Sequence, residues 1–414
     1  MTETSNNTSA FRDLGISERV SSVLSPLGFT QPTPIQTAAI PAGLSGRDVV
    51  GLAQTGTGKT LAFGLPLIDK VLKQGNGLVL APTRELALQI EETLHQVGAK
   101  LGIRTAVLIG GAPMGRQVSQ LRARPQIIIA TPGRLLDHLQ QNTCRLDQVN
   151  VVVLDEADRM LDMGFLPSIR KILPRVAQVR QTMLFSATMP SEIAQLSKEF
   201  LKDPIRVEVA ATGSTAELVE QELHLVPQTE KLNFLEDLLH KNSGTVLVFA
   251  RTRHGAKKVA KQVRLMGHSA AELHSDRTLA QRRAALEGFK HGVHRVLVAT
   301  DIAARGIDVK QISLVINFDL PDQPEDYIHR IGRTGRAGET GRAVTIATPE
   351  QVTEVRRIER LIGRHLLPNS VRPPEPGSHG RPRSFQPRHN GRPNGNPSAG
   401  PRRPGPSAPK MPTH

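Results

Sequence analysis

The chain has 414 residues and a formal net charge of +15, with 11 Phe, 1 Tyr and no Trp. At about 150 residues per domain this length predicts two or three domains, and the basic balance favours polyanionic partners, nucleic acid before an anionic membrane surface. A lone cysteine, Cys144, excludes an intrachain disulfide and a Cys-rich zinc cluster and fits a reducing compartment. No apolar run is long enough to span a membrane, the polar residues Met1 to Ala10 predict no secretory signal, and the few aromatics leave the phosphate backbone, not stacked bases, as the expected contact with nucleic acid.

In chain order, residues 1–10 are expected to be disordered. The first buried run is Asp48-Val49-Val50-Gly51-Leu52-Ala53. It leads into Ala53-Gln54-Thr55-Gly56-Thr57-Gly58-Lys59-Thr60 and then a helical apolar pattern through Leu72. Strand, Gly-rich turn and helix is the context a phosphate-binding loop needs. Gly56 and Gly58 let backbone N–H groups curl around phosphate, the helix N-terminus adds partial positive charge, Lys59 reaches the β- and γ-phosphates, and Thr60 ligates Mg²⁺. Ala53 stands where the simple pattern has Gly.

Further apolar runs follow at Gly77 to Ala81, Ile127 to Ala130, Val151 to Leu154 and Thr182 to Phe185. They are short, β-branched and without alternation, as strands buried on both faces of a parallel sheet should be. The third ends in Asp155-Glu156-Ala157-Asp158. Beside a phosphate loop, this assigns Asp155 to Mg²⁺, through water, and Glu156 to the attacking water, as base or as positioner. Small polar residues over 210–217 predict a linker. The pattern resumes at Thr245 to Phe249, Arg295 to Ala299, Leu314 to Phe318 and Ala343 to Ile346. Two α/β domains are therefore expected, over 11–209 and 218–368, with ligands at the strand C-terminal ends. Residues 369–414 hold eight Lys/Arg and twelve prolines against one acid, Glu375. They predict a disordered basic tail, either an inert extension or an arm that holds RNA.

Asp155-Glu156-Ala157-Asp158, Ser186-Ala187-Thr188 and His329-Arg330-Ile331-Gly332-Arg333-Thr334-Gly335-Arg336 together resemble the DEAD-box RNA helicases. The resemblance runs from about Phe11 to Pro368, and the stretches Leu154–Phe165 and Val248–Ala256 look most like the bacterial RhlE-type branch. It implies two tandem RecA-like domains with mainly parallel sheets, ATP and Mg²⁺ between them, and single-stranded RNA crossing both. Gly28-Phe29 and Pro32-Thr33-Pro34-Ile35-Gln36 look like an adenine-recognition motif, with Phe29 stacking on the base and Gln36 reading its edge. Phe11 is similar to the isolated aromatic upstream; core packing is the other reading for both Phe residues. By the same resemblance, Asp158, Ser186, Thr188, Arg305 and His329 couple the ATP site to closure. Arg333 and Arg336 are arginine fingers, and Asp308 contacts the ribose. The RNA contacts are Pro82, Thr83, Arg84, Gly110, Gly111, Thr131, Pro132, Gly133, Arg134, Arg251 and Thr300, although Arg84 and Arg134 could equally serve local salt bridges.

Two positions depart from the family pattern. His274-Ser275 stands where His-Gly is usual, and a Gln-x-x-Arg motif is broken, with Leu279 at the Gln position, Arg282 in place and Gln281 out of register. This puts one contact network of the second domain in doubt. The implied activity is local, ATP-dependent unwinding of short RNA duplexes or remodelling of RNA–protein complexes. An ATP-gated RNA clamp or annealing chaperone is the alternative, and a DNA translocase a third reading. A cytoplasmic bacterial monomer working on ribosomal precursors or in RNA decay fits the resemblance. Cys144 has no nucleophilic partner set and reads as inert, and His291 and His294, without a ligand set, read as surface residues.

Overall fold

The computed structural model describes residues 9–54, 56–209, 219–304, 312–335 and 341–368. Seven strands form the first sheet: β1 (Val49–Leu52), β2 (Asn76–Leu80), β3 (Thr105–Leu108), β4 (Ile127–Ala130), β5 (Val149–Leu154), β6 (Gln181–Ser186) and β7 (Ile205–Glu208). Their order is β3-β4-β2-β5-β6-β1-β7, and every pair is parallel. Six more form a second parallel sheet: β8 (Val219–Leu225), β9 (Val246–Phe249), β10 (Ala270–Leu273), β11 (Val296–Ala299), β12 (Leu314–Asn317) and β13 (Gly341–Ala347), in the order β10-β11-β9-β12-β13-β8.

The lack of alternation in these runs has a direct cause. In β5, Val151 and Val153 enter one hydrophobic cluster while Val152 and Leu154 enter the cluster on the opposite face. In β9, Leu247 and Phe249 face one core and Val246 and Val248 the other. Helices cover both faces, so both side-chain sets must be apolar. Among the described residues no helix is long and apolar enough to cross a membrane.

Register decides which loops meet. β6 lies between β5 and β1, with Leu52 beside Ser186 and Leu154 beside Leu184. The turns after β1, β5 and β6 therefore open side by side. On the other half of the same edge, Leu80 pairs with Ala130 and Ala130 with Leu108, so the turns after β2, β4 and β3 also open together. Near the N-terminus a helix covers Ser9–Arg12, and residues 1–8 lie outside the described residues. The linker at 210–217 and the tail at 369–414 lie outside the described residues.

Candidate active site and nucleic-acid groove

After β1 the backbone turns through Gly56 (φ 87°) and Gly58 (φ 93°) into the helix Lys59–Lys73. That helix stays docked because Leu61, Phe63, Leu65, Leu67 and Ile68 are all buried. Ala53 is buried, and its N–H donates to Ser186 O at 3.0 Å. Gln36 ties this turn to the helix Pro34–Leu44: its Oε1 accepts from Thr33 N (3.0 Å) and its Nε2 donates to Gly58 O (3.0 Å). The amide expected to read adenine thus also shapes the phosphate loop. Phe29 is half-buried against the first-lobe core, whereas Phe11 is fully within it, so packing is the reading that holds for Phe11. Thr55 lies outside the described residues.

Lys59 is buried, and its Nζ has no hydrogen-bond partner among the described residues. A buried ammonium of this kind calls for an anion, and it projects from a glycine-shaped helix N-terminus that also favours one. The pocket therefore fits a nucleotide polyphosphate. Among the described residues no three His, Cys, Asp or Glu side chains gather to hold a metal. Thr60 opens the helix beside Lys59 and Asp155 follows β5; these are the two side chains expected to hold Mg²⁺.

At the end of β5, Asp155 and Glu156 are both buried. Glu156 adopts φ 52°, ψ 56°, a left-handed conformation uncommon outside glycine. Its N–H donates to Asp155 Oδ1 at 3.0 Å. Burial pushes the Asp155 carboxyl up to about 7, with Lys59 opposing and Glu156 adding to the rise. Burial pushes Glu156 up as well, but the Arg159 guanidinium, ion-paired to it, and then Lys59 outweigh this and hold it well below the ordinary carboxylate range. Arg333 of the second lobe also contributes to holding it down.

Asp158 joins this strand end to the next. Its Oδ2 accepts from Ala187 N (3.1 Å), Thr188 N (2.8 Å) and Thr188 Oγ1 (3.0 Å), while its own N–H donates to Ser186 Oγ (3.1 Å). One carboxylate thus locks the turn after β6 to the turn after β5.

Between the lobes lies a cleft of about 970 Å³, to which Gln54, Asp158 and Thr188 contribute from one side and Thr300, His329 and Arg333 from the other. Arg333 is buried, and its Nε donates to His329 O at 3.1 Å. Arg330, three residues earlier, is not a ligand-facing group. It is fully buried and donates through Nη2 to Asp301 Oδ2 (2.6 Å) and through Nη1 to Asn317 Oδ1 (3.3 Å). Sequence reasoning missed this pairing, because nothing local joins Asp301 to Arg330. Arg305, Asp308 and Arg336 lie outside the described residues.

The turns after β2, β4 and β3 form the second group. Thr83 caps the helix Arg84–Gly98, its Oγ1 accepting from Leu86 N at 3.2 Å. Pro82 is buried beside it. The Arg84 guanidinium lies against Gly110 and Gly111, close enough that any side chain at Gly111 (φ 77°) would collide with it. Thr131, Pro132 and Gly133 open the helix Pro132–Gln140. Arg134 serves locally: Nη1 donates to Ala112 O at 2.9 Å and Nε lies 3.4 Å from Asp137. In the second lobe, Arg251 is 3.3 Å from Asp322, and its N–H donates to Asp319 Oδ2 at 3.0 Å.

Comparison with known proteins agrees with this geometry. A family described as DEAD/DEAH box helicase matches residues 33–196, and the helicase conserved C-terminal domain matches 230–338. The DEAD-box ATP-dependent RNA helicase CshA of Bacillus subtilis (strain 168) is 44% identical over 363 residues, 87% of this chain and 74% of that protein. The chain belongs to the DEAD-box helicases. CshA of Geobacillus kaustophilus (strain HTA426) is 43% identical over 368 residues, 88% of this chain and 78% of that protein. Among solved structures, S. cerevisiae Dbp5 bound to RNA and ADP BeF3 superposes with TM-score 0.77 at 28% identity, covering 86% of this chain and 93% of that one. The DEAD-box helicase Mss116 bound to ssRNA and UDP-BeF superposes with TM-score 0.80 at 26% identity, covering 88% and 80%. The two sheets are thus a pair of RecA-like lobes.

Within this DEAD-box frame the broken Gln-x-x-Arg motif has a clear outcome. Leu279 packs against the hydrophobic core of the first lobe. Arg282 reaches Glu85 of the first lobe at 2.8 Å, both side chains buried. Gln281 caps its own helix, accepting from Thr278 N at 3.1 Å. His274 is buried 3.8 Å from Glu272.

Proposed function

We propose that this chain is an ATP-dependent RNA helicase that opens short duplexes, or remodels RNA–protein complexes, by closing its lobes on ATP and single-stranded RNA. The observation that carries the reading is the buried, hydrogen-bond-free ammonium of Lys59 facing a carboxylate pair that also feels Arg333 from the opposite lobe. Phosphoryl transfer needs positioning and charge neutralisation more than covalent help. Lys59 holds the β- and γ-phosphates, and Thr60 and Asp155 would hold Mg²⁺, which when bound would neutralise charge on the transferring group. Glu156, ion-paired to Arg159, acts on the attacking water as base or as positioner. Arg333, with Arg336, completes the site on closure, and Asp158 with Ser186 and Thr188 transmits it.

RNA is bound along Pro82, Thr83, Arg84, Gly110, Gly111, Thr131, Pro132 and Gly133, with Arg251 and Thr300 from the second lobe. Backbone contacts of this kind position a strand without specifying its sequence. The RhlE-type placement rests on Leu154–Phe165 and Val248–Ala256 alone, and the relatives matched above carry the name CshA. A cytoplasmic monomer acting on ribosomal precursors or in RNA decay belongs to the same reading, as does the basic tail as an RNA arm.

RNA-stimulated ATP hydrolysis tests the assignment. Lys59→Ala and Glu156→Gln are each expected to lose at least about a hundredfold in rate, and EDTA to stop turnover of the wild type. Hydrolysis by Glu156→Gln at the wild-type rate would refute the site. In the same assay a chain ending at Pro368 should show weaker RNA affinity with a shallower salt dependence; an unchanged salt slope means the tail is inert.

A further inference from the structure

Beneath the Gly110–Ala112 turn lies a buried polar chain that the ATPase site does not use. Gln117, on the helix Met114–Arg122, is almost wholly enclosed, and His138, on the helix Pro132–Gln140, is fully so. Gln117 Nε2 donates to Ile109 O at 3.0 Å and to Ala112 O at 3.3 Å. Two carbonyls on one side fix the amide orientation, so Gln117 Oε1 must face His138 Nε2, 3.2 Å away. An oxygen acceptor there requires a proton on Nε2. On the far side of the ring, Nδ1 lies 2.7 Å from Thr143 Oγ1, whose single hydroxyl proton can go to Nδ1 or to the more distant His138 O at 3.1 Å. Burial, and then Arg134, lower the pKa of His138, which keeps the ring neutral. A neutral ring protonated on Nε2, with the Thr143 hydroxyl turned to Nδ1 and away from His138 O, satisfies both ring nitrogens.

We propose that Thr143, His138 and Gln117 form a relay that sets the height and tilt of the Gly110-Gly111-Ala112 turn, making Gln117 and His138 positioning residues for capture of the RNA backbone. The proposal rests on the RNA-groove reading given above. The relay joins the two segments that supply contacts on this half of the sheet edge: the turn after β3, and the helix opened by Thr131, Pro132 and Gly133. Arg134 pins the same Ala112 carbonyl from a second direction. The turn is thus held from within at both Ile109 O and Ala112 O, while Gly111 stays exposed beside the Arg84 guanidinium. An apolar core would fill this space without leaving polar groups to satisfy. A connected network instead gives the loop one defined position, as a phosphate contact demands.

The test is RNA-stimulated ATPase with an RNA homopolymer, separating KM for RNA from kcat. Gln117→Leu and His138→Phe should raise KM for RNA about tenfold, equivalent to ~1.4 kcal/mol, with kcat at saturating RNA changed less than about twofold. His138→Gln, whose amide can supply the Nε2–H donor, should restore KM to within about twofold of wild type. Unchanged KM in Gln117→Leu, or no rescue by His138→Gln, overturns the relay. Gly111→Ala separates this from the reading beneath it: if it too leaves KM unaltered, the groove assignment fails. If it raises KM while Gln117→Leu does not, only the relay fails. Should the variants unfold, ¹⁵N spectra of histidine-labelled wild type decide the matter. A buried neutral ring with its proton on Nε2 is expected; the Nδ1 tautomer or an imidazolium rules the proposal out.

Discussion

Gly58 shows how little room the phosphate loop leaves for change. At φ 93° an L side chain is strained, by about 1–2 kcal/mol. A Cβ there would also stand 2.5 Å from Gln36 Nε2, the atom that donates to Gly58 O. Gly58→Ala must therefore displace Gln36 or distort the helix start that presents Lys59. The expected result is ATP affinity lowered by about tenfold or more, read by titration with a fluorescent nucleotide. Wild-type affinity in this variant would mean that the loop takes another shape when it binds. The motif alone made Gly58 and Lys59 legible. It could not disclose that Gln36 shapes the phosphate loop, or that Arg159 pairs with Glu156, because both depend on side chains meeting in three dimensions.

At the level of strands and helices, what could be read from the sequence follows from position in the sheet. β1, β4, β9 and β11 lie inside their sheets and carry no polar side chain, and the same holds for residues 151–154 of β5 and 314–316 of β12. β3, β7, β8 and β10 were not anticipated, and all four are edge strands. An edge tolerates polar residues: β8 reads Val-Glu-Gln-Glu-Leu-His-Leu, and β10 carries Glu272, whose charge is met by Arg264 and Arg277. The closing helix Val352–Ile362 depends on a similarly distant contact. Glu359 Oε1 accepts from Leu366 N (2.7 Å) and Leu367 N (2.8 Å), and its Oε2 accepts from Arg356 at 2.7 Å. Burial pushes its carboxyl up, but the Leu367 N–H, the Arg356 side chain and the Leu366 N–H outweigh this and hold it below its ordinary value. A depressed folded-state pKa gives stability that is complete above the unfolded value, near ~4.3, and is lost as pH falls through the folded one. Glu359→Ala should cost about 2 kcal/mol, since hydrogen bonds to a charged group are at stake. The wild type should lose its advantage over the variant in acid. Equal melting temperatures at neutral pH would show that the carboxylate does not anchor Leu366 and Leu367.

Across the whole molecule the two lobes meet through Arg282 and Glu85, with Leu279 against the first-lobe core. A buried ion pair is weak evidence of net stability, yet removing one partner leaves a buried charge and typically costs about 3–5 kcal/mol. Within a single core that cost would appear as unfolding. Here the partners belong to different lobes, so the orphaned carboxylate can return to water simply by the lobes parting. Arg282→Leu should therefore shift the balance toward separated lobes by about 10²–10⁴, the same energy expressed as a ratio. Small-angle scattering of the nucleotide-free protein should show a larger radius of gyration than wild type. The melting temperature of each lobe should stay nearly the same, because neither core loses a contact of its own. Leu279→Gln should act in the same direction but more weakly, since it exchanges partial apolar burial for an amide that water can solvate when the lobes part. If Arg282→Leu scatters like the wild type and melts earlier, the pair stabilises folding and not the joint between lobes.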